Sequence, residues 1–187
     1  MAKLNKKISE TSVRIGEVRF SYPAVFEPRA NPNAPDSKPK YSCCILISKD
    51  NKEALQTINE AVQAAARKGG EKFWNGKFPP TARKPLHDGD EEKPDDPAFA
   101  GMMFLNASNQ YKPEVTMRDE FGIVAVTDPQ DFYAGCYGAV TLDFFPYNKP
   151  ASKGVSCSLG CLIKLRDGEH LAGSVPSAES SFADLVE

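Results

Sequence analysis

Residues 136–147 read Cys-Tyr-Gly-Ala-Val-Thr-Leu-Asp-Phe-Phe-Pro-Tyr, and residues 155–166 read Val-Ser-Cys-Ser-Leu-Gly-Cys-Leu-Ile-Lys-Leu-Arg. In the second stretch Val155, Cys157, Leu159, Cys161, Ile163 and Leu165 share one phase of a two-residue period. Small or polar residues take most of the other phase. Alternation of this length marks a half-buried β-strand. In the first stretch Val140, Leu142 and Phe144 share one phase, and Tyr137, Thr141, Asp143, Phe145 and Tyr147 share the other. The intervening residues 148–154, Asn-Lys-Pro-Ala-Ser-Lys-Gly, form a basic turn. The two stretches are therefore expected as the arms of one hairpin.

Upstream, residues 12–20 read as a first strand whose apolar phase switches. Val13 and Ile15 precede Gly16-Glu17, and Val18 and Phe20 follow it. A switch of this kind marks a bulge or sharp bend, which a small barrel needs to curl a strand between sheets. Residues 23–40 hold five prolines and no period, so a loop is expected. Residues 41–48 form a short apolar strand with Tyr41, Cys43, Ile45 and Ile47 on one face.

A helix is expected over 50–68. Asp50 would cap it with Glu53 three residues on, and Leu55, Ile58, Val62 and Ala65 recur at helical spacing. Gly69-Gly70 would end it. Residues 70–98 read as an extended insertion with a solvated acidic end. Further strands are expected at 101–108, 113–117 and 122–127, with a turn at Asp128-Pro129. The sum is a mainly β protein: an OB-like five-stranded antiparallel barrel with one main α-helix and an extended loop insertion. One such domain is expected over 1–171, followed by a mildly acidic tail over 172–187.

The composition, 41% hydrophobic over 187 residues, suits one compact core. The basic N-terminus is followed by no apolar run, so a cytosolic protein is expected. No stretch is long and apolar enough to span a bilayer. The five cysteines include no CxxC pair, and small buried apolar roles are expected for them rather than a zinc site. His87 and His170 each sit beside acids in a glycine-containing turn, where a surface turn is the simpler reading. No nucleophile elbow, phosphate loop or dinucleotide fingerprint is present. We therefore expect no catalytic residue, no metal and no cofactor, with a nuclease using the 88–96 acids as the reading that cleavage assays would have to exclude.

The formal net charge of −2 conceals an uneven distribution. Residues 88–96 hold six acids and one base, and residues 177–187 hold three acids and no base. Outside these segments 22 basic residues face 16 acidic ones, a body of +6. Binding of single strands without sequence preference needs cations for phosphates and aromatic faces for bases. Tyr111-Lys112 follows one expected strand, Arg118 closes another, and Tyr137, Phe145 and Tyr147 share the wetter phase of the hairpin. Lys149 and Lys153 flank its turn. These eight residues are the candidate binding set, whereas Phe104 and Phe144 are assigned to the core.

Several segments in order also resemble a family of phage single-stranded DNA-binding proteins formerly known as a domain of unknown function. They are Val18-Arg-Phe-Ser-Tyr-Pro-Ala-Val-Phe26, Lys38-Pro-Lys-Tyr-Ser42, Ile45-Leu-Ile-Ser-Lys49 and Lys84-Pro-Leu-His-Asp-Gly-Asp90, then Phe132-Tyr-Ala-Gly-Cys-Tyr137, Lys153-Gly-Val155 and the ending with Phe182. The resemblance spans residues 12–187. It implies an OB-like fold, sequence-independent binding of single-stranded DNA, and a role in phage replication, recombination or repair in the cytoplasm of the infected host. It further implies that the C-terminal tail contacts replication or recombination proteins or competes with DNA for a basic groove. A homodimer is compatible with the strand edges a small barrel leaves over. The competing expectation is a phage structural or assembly protein whose aromatic surface is a protein interface.

Overall fold

The bend expected at Gly16-Glu17 shapes the longest strand of the protein. In the computed structural model, which describes residues 3–171, Glu17 takes a left-handed φ of 54° and the register shifts between Ile15 and Val18. The elements in chain order are β1 (Lys6–Lys7), β2 (Ser12–Arg29), β3 (Lys40–Ser48), α1 (Lys52–Phe73), β4 (His87–Asp88), α2 (Gly89–Glu92), β5 (Met102–Asn109), β6 (Val115–Asp119), β7 (Gly122–Ala125), β8 (Tyr137–Lys149) and β9 (Ser152–Arg166). Strands pair in the order β5-β3-β2-β8-β9, and a β5–β9 bridge at Ser108 and Ser158 closes the ring. The result is a closed five-stranded OB-like barrel. The closing bridge is parallel, as is the β6–β9 pairing, so the barrel is not wholly antiparallel.

The barrel interior is filled by the expected phases. Val13, Ile15, Val18, Phe20, Cys43, Ile45, Ile47, Leu105, Leu142, Phe144 and Leu159 are all buried in one cluster. α1 closes it by contributing Ala54, Ile58, Ala61 and Ala65 from one face. Small residues on that face let the helix axis approach the strands closely. Cutting Phe20 or Phe144 to alanine would remove ring contacts that the rigid barrel cannot regain, at a cost of about 3–5 kcal/mol.

Several expectations are corrected. β2 continues to Arg29 through Pro23 and Pro28, where a loop was expected. Its register against β3 shifts twice, between Ser21 and Ala24 and between Ala24 and Arg29, so the proline positions fall at irregularities in the ladder. The helix cap is Asn51 rather than Asp50, its side chain accepting from the Ala54 N–H at 3.3 Å. Gly69-Gly70 lies inside α1, which runs on to Phe73. A Cβ at Gly69 would stand 2.3 Å from the Trp74 ring and 2.7 Å from Pro146, so glycine is there for close packing, not to stop the helix.

The shared face expected of β9 also breaks. A bulge lies where Leu159 pairs with Leu142 and Leu162 with Val140. Cys157 is therefore buried and Cys161 exposed. The acidic insertion is built rather than merely solvated. β4 pairs with β5, Phe99 packs edge-on against Phe104 at 5.0 Å, and Lys49 Nζ bonds both Asp88 and Asp90 at 2.7 Å. His87 stacks on Phe104 and His170 on Tyr133, at 5.2 Å and 4.0 Å, so neither histidine is a free turn residue. The tail expected over 172–187 lies outside the described residues. No described helix is long and apolar enough to cross a membrane.

Candidate nucleic-acid interface

The barrel carries two chemically different sets of cations. At one end a row of outward residues crosses the strands, with Leu46 on β3 paired to Arg19 on β2, Arg19 to Tyr137 on β8, and Tyr137 to Arg166 on β9. They line an open groove of about 610 Å³ together with Ser48, Asn51 and Met102. Tyr137 is half-buried, and both guanidiniums already lie over its ring, Arg166 at 3.7 Å and Arg19 at 5.2 Å. The Arg19 side chain donates to the carbonyls of Gly135 and Glu169 at 3.1 Å and 2.7 Å. Arg166 pairs with Glu17 at 3.7 Å and Lys164 with Asp167 at 2.7 Å. Hydrogen bonding from Lys164 and then from Tyr133 holds the Asp167 carboxyl below the ordinary range. Burial, ahead of the nearby Asp167 charge, pushes the Tyr133 phenol up to about 12. The cations at this end are committed to holding the chain together.

A second set of cations has no acidic partner among the described residues. Arg29 and Lys40 pair in register where β2 ends and β3 begins, and Tyr41 pairs with Asn109 where β5 ends. Tyr111 and Lys112 follow directly in the loop, both exposed, Tyr111 by 71%. Asn109 Nδ2 donates to Ser158 Oγ and to the Leu159 carbonyl, which fixes this loop beside the middle of β9. Across the hairpin Ser158 stands opposite Asp143 and Ser156 opposite Phe145, which is 41% exposed. Asp143 accepts from the hydroxyls of Thr11 and Ser12, so its charge is engaged.

The hairpin then projects as an arm. Tyr147, half-buried, shares a hydrogen bond of 3.0 Å with Ser152, and Lys149 pairs in register with Ser152 and Lys153 with Asn148 at the turn. The turn end of the arm is tied down by Arg83. Its N–H donates to the Lys153 carbonyl and its carbonyl accepts from Val155 N–H. Gly154 takes φ +150° there, and a Cβ would meet the Arg83 carbonyl at 2.2 Å, so only glycine fits.

Of the eight residues singled out from sequence, Phe145, Tyr147, Lys149 and Lys153 lie toward the β8–β9 turn, whereas Tyr111 and Lys112 follow the end of β5 beside the middle of β9. Tyr137 lies at the far end of β8, eight residues along the strand from Phe145, or about 26 Å at strand rise. Arg118 is exposed on the β6–β7 hairpin, whose register sets it near that same end. Sequence reading missed Arg29, Lys38 and Lys40, because a proline-rich stretch hid the strand ends that present them. It also missed Tyr22, 56% exposed with a left-handed φ of 45° ahead of Pro23.

Of the five cysteines only Cys161 is exposed. Burial raises the Cys43 thiol far above its usual value, and likewise that of Cys44 to about 12 and that of Cys136 to about 11. These thiols are inert packing groups. Among the described residues no group of three or more His, Cys, Asp or Glu side chains is placed to hold a metal.

Comparison with known proteins identifies the family. The profile of the single-stranded DNA-binding protein of Enterobacter phage Enc34 matches residues 11–187. The chain belongs to this family. A relative from Acyrthosiphon pisum secondary endosymbiont phage 1, described as putative protein p50, is 29% identical over 178 residues, covering 92% of this chain and 93% of the relative. Among solved structures, the Enc34 single-stranded DNA-binding protein in complex with single-stranded DNA superposes with a TM-score of 0.72 at 22% identity, covering 90% of this chain and 96% of that one. Gp2.5, a single-stranded DNA-binding protein encoded by bacteriophage T7, superposes at 0.55 with 14% identity and covers 96% of both chains. At such identities these superpositions speak for the barrel.

Proposed function

We propose that this protein binds single-stranded DNA without sequence preference and serves phage DNA replication, recombination or repair. The observation that carries the reading is the presence, on the loops and hairpin turn of an OB-like barrel, of exposed aromatics and cations with no acidic partner among the described residues. Strands two and three of such barrels, with the loops between strands one and two and between four and five, form the customary nucleic-acid surface. Here those parts are β3, β5, the loop over residues 30–39 and the β8–β9 turn.

Bases stack on Tyr111, Phe145 and Tyr147, while Lys112, Lys149 and Lys153 neutralise phosphates, joined by Arg29 and Lys40. Tyr137 holds Arg19 and Arg166 in place rather than offering a bare ring, and Arg118 adds charge on the far hairpin. Membership of a DNA-binding family supports the reading, and nothing in the surface requires catalysis. The C-terminal tail, as a contact for replication proteins, belongs to the same proposal.

The test is anisotropy of labelled oligo-dT with the full chain at several salt concentrations. The expected result is tight binding with a log–log salt slope of about −0.7 per phosphate neutralised. Duplex should bind much more weakly. Affinity that does not respond to salt would overturn the reading.

A further inference from the structure

Phe121 is the most exposed large apolar side chain among the described residues, at 86%, and Ile123 on the same hairpin is 71% exposed. The turn between β6 and β7 also carries Asp119 and Glu120, both exposed. Asp119 Oδ1 accepts from the Phe121 N–H at 2.8 Å, which shapes the turn so that the ring stands out. Two carboxylates beside the ring repel phosphate, so this tip is ill suited to DNA. It is an acidic, apolar knob.

A complementary groove of about 460 Å³ lies on the outer side of α1, where residues 76–84 fold back along the helix. Val62, Ala66 and Phe78 give it apolar walls, and Arg67 and Lys84 stand at it. Neither cation makes a salt bridge or side-chain hydrogen bond among the described residues. Apolar walls with unpaired cations match an apolar tip with carboxylates in both respects.

Knob and groove cannot meet within one molecule. β6 runs parallel to the last residues of β9, with Met117 beside Lys164, which carries the knob past the C-terminal end of that strand. Arg83, next to Lys84 of the groove, bridges Gly154 at the other end of β9. The two patches are thus separated by most of β9, about 40 Å at strand rise. Because they are different surfaces, one contact leaves a free knob and a free groove, and repetition without closure makes an open row.

We propose that in neighbouring copies Phe121 of one molecule seats in the α1 groove of the next, with Asp119 and Glu120 facing that copy's Arg67 and Lys84. The contact would make binding cooperative along a single strand. This setting rests on the single-strand reading above, whereas the contact itself does not.

The experiment compares full-length wild type with Phe121→Ser, Glu120→Lys and Arg67→Glu, all at exposed or rim positions. Each is titrated with an oligo-dT long enough for one copy and with long poly-dT. Phe121→Ser is expected to leave the short oligomer unaffected and to lower affinity for the long strand by about tenfold or more. Glu120→Lys and Arg67→Glu are each expected to do the same alone, and mixing the two variants should restore part of the loss, because wherever they alternate one contact is charge-swapped and the next is wild type. Long-strand binding by Phe121→Ser as cooperative as that of wild type would overturn the proposal. So would loss of cooperativity in a Phe182→Ser, Leu185→Ser variant while Phe121→Ser retains it, since the groove would then belong to the tail. If no form bound even the short oligomer, the single-strand reading would fail on its own. Sedimentation at high protein concentration would then decide the contact, with self-association of wild type and its absence in Phe121→Ser supporting it and equal behaviour of the two overturning it.

Discussion

Two sets of cations on the barrel have opposite fates. Around Tyr137, Arg19 is bonded to two carbonyls, Arg166 faces Glu17 and Lys164 faces Asp167. Around Tyr111 and the β8–β9 turn, Lys112, Lys149 and Lys153 have no such partners among the described residues. The lesson is that a basic residue beside an aromatic is not by itself a ligand site. Exposed pairs contribute little to stability, so a protein can keep some cations free at small cost, and free cations are those a phosphate backbone can take up.

The largest expected effect would sharpen this contrast. Tyr111→Ala and Phe145→Ala should each weaken oligo-dT binding by about 1–3 kcal/mol, with an unchanged melting curve. Next, Arg19→Ala removes charge-assisted bonds to Gly135 and Glu169 and should cost about 2 kcal/mol in denaturant unfolding. Its oligo-dT affinity should stay within about twofold of wild type. A loss of affinity as large as that of Phe145→Ala would break the comparison, because the pinned end would then also be binding DNA. Smaller still, Lys149→Ala combined with Lys153→Ala should flatten the salt slope by about 1.4, two phosphates' worth.

The smallest effect is expected from acid. Asp88 and Asp90 are held below the ordinary carboxylate range chiefly by their hydrogen bonds to Lys49, and Asp167 chiefly by Lys164. Their contribution is fully present above the unfolded carboxylate value, about 4, and is lost as pH falls through the lower folded values. The Lys49 ammonium is raised by the same two bonds, so its contribution is present below about 10.4 and is lost only as pH rises through its raised value. Hydrogen exchange over residues 87–101 should therefore be flat between pH 5 and 9 after correction for intrinsic rates, and should quicken below about pH 4. Lys49→Met should give fast exchange there throughout that range.

Much of the barrel was legible because alternation survives wherever one strand face meets a core. The β8–β9 hairpin, the Gly16-Glu17 bend and the Cys43–Ile45–Ile47 face all follow from that rule. Legibility failed where a single residue changed phase or purpose. At Gly160 an isolated glycine was the only local sign of the bulge, and the unbroken alternation around it hid the phase change that the Val140 and Leu142 pairings show. Gly69 looks like a helix stop, but its reason is a tryptophan and a proline packed against it. For the interface, aromatic and basic residue types were readable, but whether a cation is already engaged depends on partners far away in sequence. Arg19 and Glu169, 150 residues apart, show why.

Trp74, the only tryptophan in the chain, seals the end of α1 and donates its indole N–H to Asn148 at 3.3 Å. Its emission therefore reports on one joint, between helix and projecting arm, and not on the barrel as a whole. If that joint opens before the barrel melts, fluorescence and circular dichroism will trace separate transitions, and the gap between their midpoints will measure how independently the arm can yield.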